Sequence, residues 1–242
     1  MACPVSVLEV REKQLTNKIA PSYLTTIHPV FPMLASTKAR VQSILSQCPH
    51  ILREAFLDAF HDTAQVFQGP RGQTNGEAAP PAALPFSEWE ADEVLPDRVT
   101  DLVSLQTFTA IALRMSYLAP VARLLQASPL RQSPLSHAID LAFSMKMYKV
   151  QPTPVPEPEF DPNSDDNVSL RAWWTIVMLD RWNAIGTGSM HRIPGECVNI
   201  VPGLKPVLGT SGYVLVREYT PPLVSVSRRA GFEELLTNRF AS

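Results

Sequence analysis

The side chains best suited to chemistry are thinly spread in this sequence. Its five histidines are His28, His50, His61, His137 and His191, and its three cysteines are Cys3, Cys48 and Cys197. A metal centre needs ligands at short spacing, as in His-Glu-x-x-His or Cys-x-x-Cys, because one helix turn or tight loop must bring two donors to one ion. No such spacing occurs, and three cysteines cannot build a six-cysteine zinc cluster. Nucleophilic hydrolysis on a strand–helix elbow would call for Gly-x-Ser-x-Gly, which is also absent. Gly186-Thr-Gly188-Ser189 lacks the Gly-Lys-Ser/Thr end with which a phosphate loop grips its ligand. Asp180 and Arg181 stand together inside an apolar stretch. Helical neighbours point in different directions, so each is expected to pair with a partner elsewhere or with open backbone at the helix end. The inventory argues against an enzyme, and no cofactor is expected in this chain.

Composition agrees with a folded protein rather than a disordered one. Hydrophobic residues make up 45% of the 242, charged residues 18%, and the net charge is −2. A domain that held DNA by itself would carry a basic excess to neutralise phosphates. Prolines outnumber glycines 23 to 10, which breaks the chain into short elements and extended connectors. The first residues lack a signal-type apolar core, and no apolar run reaches the roughly 20 residues that span a bilayer. The expectation is a soluble intracellular protein with no membrane contact.

The periodicity is helical throughout. A first helix is expected over Val5 to Asn17. Tyr23 to Leu34 reads as a helix end running into an apolar connector kinked by Pro29 and Pro32, with His28 a packed or capping residue. Further helices are expected from Lys38 to Ser46, Ile51 to Phe67 and Asp97 to Leu118, the last ended or kinked by Pro120 before a short helix over Val121 to Gln126. Ser133-Pro134 opens another, with Leu135, Ala138, Ile139, Ala142, Phe143 and Met147 as its stripe. Leu170 to Gly186, capped by Asn167 or Ser169, is the strongest helix, stopped by Gly186 and Gly188. Residues 69–97 and 151–167 read as loops, the second proline-rich and acidic. Short punctuated pieces follow from His191 to Pro206. Gly212 to Arg217 and Leu223 to Arg228, rich in valine, are expected to be extended, and Gly231 to Phe240 a weak helix. The fold class is all-α, an irregular bundle of about seven to nine helices with long Pro-rich loops.

Two stretches are more specific. Arg171-Ala-Trp173-Trp174-Thr-Ile-Val-Met-Leu179-Asp180-Arg181-Trp182, followed by Gly188 and Ile193-Pro194, closely resembles the signature of the regulatory (middle homology) domain of fungal zinc binuclear cluster transcription factors. Ile27-His28-Pro29-Val30-Phe31-Pro32-Met33-Leu34 resembles the His-Pro-hydrophobic-Phe-Pro element near that domain's start. Leu135-Ser-His-Ala138-Ile139-Asp-Leu141-Ala142 between them resembles the family's preceding alanine helix. Order and spacing agree. Met178-Leu-Asp-Arg-Trp-Asn-Ala184 is similar to the subgroup that represses glucose-transport genes. Where the family often has Gly-Leu-His, this chain has Met145-Lys146-Met147.

The resemblance implies a regulatory domain over residues 1–217 with an irregular tail over 218–242. It implies a nuclear protein that senses a small-molecule effector or a protein partner, with homodimerisation expected. DNA would be reached only through a zinc cluster that this chain lacks, and zinc would belong to that cluster. The chain is expected to be a truncated relative of longer members, and a stand-alone helical interaction protein is the alternative. The signature residues His28, Pro29, Phe31, Pro32, Trp173, Trp174, Leu179, Asp180, Arg181 and Gly188 are expected to be mostly structural. Trp173 and Trp174 would fill the core or face a ligand between helices; Asp180 and Arg181 would form structural ion pairs or touch the effector.

Overall fold

The computed structural model describes residue 21 and residues 23–68, 98–124, 133–152, 160–200 and 203–219. A π-helical turn, Tyr23–Ile27, leads into an irregular strap that runs to residue 37. Then come α1 (Lys38–Leu45), α2 (His50–Gln68), α3 (Arg98–Leu124), α4 (Ser133–Ser144), α5 (Asp165–Thr187) and α6 (Leu204–Tyr219). Short 3-10 turns lie at Met147–Lys149 and Gly195–Cys197. No strand occurs among the described residues, so the chain is all-α as its periodicity predicts. The expected helices at Val5–Asn17 and Gly231–Phe240, the extended piece at Leu223–Arg228 and the loop at 69–97 lie outside the described residues.

Two helices organise the rest. α3 packs against α1, α2, α4 and α5, and α5 packs against α3, α4 and α6. Both are apolar nearly all round, which a helix tolerates only when neighbours cover every face. Along α5 every residue from Val168 to Arg181 is buried. α3 also carries hydroxyls into the core, and each returns its proton to the preceding turn: Ser104 to the Thr100 carbonyl, Thr107 to Val103 and Thr109 to Leu105. Thr63 of α2 donates to Ala59 of its own helix and lies 3.0 Å from the Ala110 carbonyl of α3, where the absent bulk of Ala110 lets the two helices approach.

Four expectations are corrected. α3 runs on past Pro120 to Leu124, so Pro120 does not end the helix there. Met147 lies beyond α4, since Lys146 turns left-handed at φ 56 and starts the 3-10 turn that carries it. α5 begins at Asp165, five residues before the expected start, and its cap is Ser164, whose hydroxyl accepts the Asn167 amide at 3.3 Å. The end of the supposed 151–167 linker is thus the first turn of the central helix. Finally, residues 212–217 are helical, within α6. Valine favours strands, but Leu204, Val207, Leu208, Leu215 and Val216 recur at helical spacing and are buried, and packing outweighs propensity.

Leu179, fully buried at the heart of α5, tests that core. Leu179→Ala should cost about 2–5 kcal/mol in urea unfolding. Arg40→Ala, which removes an exposed partner of Asp165, should stay within about 1 kcal/mol.

Candidate functional site

The strap between His28 and Ser36 is irregular, yet Phe31, Pro32, Met33, Leu34 and Ala35 are all buried. Backbone in that position must find partners for its amides and carbonyls or forfeit roughly 1–3 kcal/mol for each orphan. Two of the residues, Pro29 and Pro32, have no amide hydrogen to satisfy. Tyr23 supplies the largest share of the remainder. Its hydroxyl donates to the Phe31 carbonyl at 2.7 Å and accepts the Met33 and Leu34 amides at 3.1 and 3.3 Å. Burial pushes that phenol well above its ordinary range, so it stays protonated and able to donate.

Three other side chains contribute. Gln106 of α3 donates from its side-chain amide to the Met33 carbonyl at 2.8 Å. Asn163, just before α5, accepts from the backbone amide and hydroxyl of Ser36 at 2.7 and 2.9 Å. Arg171 of α5 donates one guanidinium nitrogen to the Leu34 carbonyl at 2.9 Å and the other to the Pro162 carbonyl. Arg171 is 2% exposed, and burial lowers its pKa to about 10, against the longer-range pull of Tyr23 and Asp161. It remains a cation at neutral pH, a planar fork joining the strap to the loop that enters α5.

His28 lies beside this junction, edge-on to Tyr23 at 5.6 Å between ring centres. Burial, and then the Arg171 charge, bring its pKa down to about 4. Its buried Nδ1 has no hydrogen-bond partner. Phe31 meets Trp182 of α5 edge to face at 5.0 Å, and Trp182 in turn meets Tyr219 of α6 at 6.1 Å. Pro29 is exposed at the bend. The two motifs, about 140 residues apart in sequence, therefore share one interface.

The far end of α5 is tied by Asp180. The carboxylate is 1% exposed and accepts the backbone amides of Arg192 and Ile193 at 3.0 and 3.1 Å. That fastens the loop that turns back after Gly188, which ends α5 in the left-handed conformation at φ 69. The expectation that Asp180 and Arg181 each pair elsewhere or with open backbone holds for Asp180, but a contact between the two neighbours also occurs. The Arg181 guanidinium also lies 3.6 Å from Asp180, since a long side chain can fold back along its own helix. Burial lowers the Arg181 pKa and Asp180 partly restores it. Arg192 in addition reaches the Ser136 hydroxyl on α4.

Trp173 and Trp174 are buried, and Leu179 is fully enclosed. Trp173 packs on Phe143 and Tyr148 at 5.9 and 6.5 Å, on the α4 side of α5, away from the Phe31–Trp182 contact. The predicted residues thus fall into a strap–helix junction (His28, Phe31, Pro32), a loop anchor (Asp180, Arg181, Gly188) and core packing (Trp173, Trp174, Leu179). Of the polar residues that hold the junction, Arg171 opens the signature stretch and Gln106 is a polar residue inside an apolar run, while nothing local in the sequence marks Tyr23 or Asn163. Among the described residues no group of histidine, cysteine or acidic side chains could hold a metal ion, and no helix is long and apolar enough to cross a membrane.

Comparison with known proteins gives a sparse picture. No family model matches the chain, and no solved structure matches it. A curated fission-yeast protein, the uncharacterized transcriptional regulatory protein C320.03 of Schizosaccharomyces pombe, is 28% identical over 198 residues. The match covers 81% of this chain and 22% of that relative, so the chain corresponds to a fraction of its length.

Two measurements probe the junction. Arg171→Met keeps the stem and removes both donors, leaving the buried Leu34 carbonyl without its guanidinium partner; it should cost about 2–5 kcal/mol in chemical unfolding. His28 binds its proton less readily folded than unfolded. Its contribution is therefore complete above pH 6.5 and fades as the pH falls toward 4. The wild type should lose on the order of 2 kcal/mol more than His28→Gln between pH 7 and pH 4, read from paired urea titrations.

Proposed function

We propose that this chain is the regulatory region of a fungal transcription regulator, corresponding to the middle homology domain of zinc-cluster factors. The observation that carries this reading is its similarity to a protein named as a transcriptional regulator. The likeness of residues 171–182 and 27–34 to that domain's signature supports it, as does the shared interface that these segments form through Phe31, Trp182 and Arg171. The module acts by binding: a small-molecule effector or a protein partner favours one arrangement of the helices and so changes what an attached segment does. Its place of action is the nucleus, its form a homodimer, and contact with DNA belongs to a zinc cluster elsewhere in the full regulator. The likeness of residues 178–184 to glucose-transport repressors points to sugar-responsive genes.

The signature residues serve this role by holding the module together. Asp180 spends both oxygens on backbone amides and has no access to solvent, so it offers no base to a substrate. Fusing the chain to a heterologous DNA-binding domain in a fungal reporter strain tests the proposal. Reporter output should differ at least about threefold from that of the DNA-binding domain alone, in a glucose-dependent manner. Output identical to the control on every carbon source, with the fusion present in the nucleus, would reject it.

A further inference from the structure

α6 is interrupted. Gly209 sits at φ 70 and ψ 170, far from helical values, so residues 204–208 and 210–219 are two helical pieces joined at one residue. That region of backbone space is open to glycine and closed to other residues at a cost of about 1–3 kcal/mol. A Cβ at Gly209 would meet nothing within 4 Å, so no neighbour demands the small side chain. Backbone conformation alone does.

The two pieces have different attachments. Leu204, Val207 and Leu208 of the first piece and Leu215 and Val216 of the second are all buried to within a few per cent, so the pieces differ in what they pack on rather than in how deeply they sit. The second piece lies over the junction. A Cβ on Gly212 would come 3.8 Å from the Pro32 ring, which measures how closely this backbone approaches the strap. Tyr219 closes the other end on Trp182, which itself meets Phe31. Leu215 and Val216 face inward, and Thr210, Arg217 and Glu218 face solvent.

We propose that residues 210–219 form a hinged arm that pivots at Gly209 and can leave its seat on Pro32 and Trp182 as one unit, without unfolding α5. Lifting it uncovers an apolar face made of Pro32, Phe31 and Trp182, and the arm is the intramolecular occupant of that face. The inference rests on backbone geometry and contacts and stands independently of the transcriptional reading.

Hydrogen exchange of the full chain, followed by mass spectrometry, tests it. In the wild type, peptides from 211–219 should exchange together and at least about tenfold faster than peptides from 171–181. Gly209→Ala should speed the arm a further tenfold or so and leave 171–181 unchanged. Gly188→Ala carries a smaller, αL-type positive-φ penalty at the end of α5 and should not single out the arm. Tyr219→Ala, which leaves the backbone alone, should reproduce the selective acceleration if the Gly209 variant fails to fold. Equal protection of the two regions in the wild type, or uniform acceleration in both arm variants, would overturn the proposal.

Discussion

An irregular stretch of backbone cannot enter a protein core unless something other than secondary structure answers its polar groups. Residues 31–36 impose that condition on the whole molecule. The carbonyls of Phe31, Met33 and Leu34 and the amides of Met33, Leu34 and Ser36 are met by Tyr23, Gln106, Asn163 and Arg171, drawn from the preceding turn, from α3, from the loop before α5 and from α5 itself. Gln106 and Arg171 lie where they do because α3 and α5 deliver them, and Asn163 accepts from the loop that enters α5. α3 and α5 must cross the strap at fixed heights, and the apolar surfaces that pack them are arranged around that requirement. A hydrophobic core alone would allow the helices to slide; these directional bonds do not.

The central helix is held differently at its two ends. At the start, Asp165 and Asp166 suit the positive end of the helix dipole and pair with Arg40 and Arg98 from two neighbouring helices, all at the surface. Such pairs set direction more than stability. At the finish, a buried carboxylate grips two backbone amides, and Ile193 is sealed beneath the returning loop. Both oxygens of Asp180 are thereby taken up within the fold.

How much of this could be read from the sequence follows from what each pattern encodes. Apolar period placed α2, α4 and the body of α5 closely, because those helices owe their existence to a buried stripe. It missed the first turn of α5, where Asp165 and Asp166 look like part of an acidic linker; the cap at Ser164 and the distant arginines decide the matter. It misjudged 212–217, where valine content suggested strand and packing against α5 enforced helix. The motif residues were visible as a group, and their mutual contact was not. A hydrogen bond such as Arg171 to Leu34 joins positions 137 residues apart, and no local pattern carries that information.

That separation also sets an order of events during synthesis. The strap is made early, and Tyr23 can satisfy part of it at once, since its partners lie only eight to eleven residues away. The bonds from Asn163 and Arg171 span 127 and 137 residues. Closing so long a loop is entropically costly until the intervening helices have collapsed. The strap therefore leaves the ribosome with three of its anchors, Gln106, Asn163 and Arg171, still unmade. At roughly 5–20 residues per second, its last anchor follows it by about 7–27 s, during which its apolar side chains have no α5 to cover them.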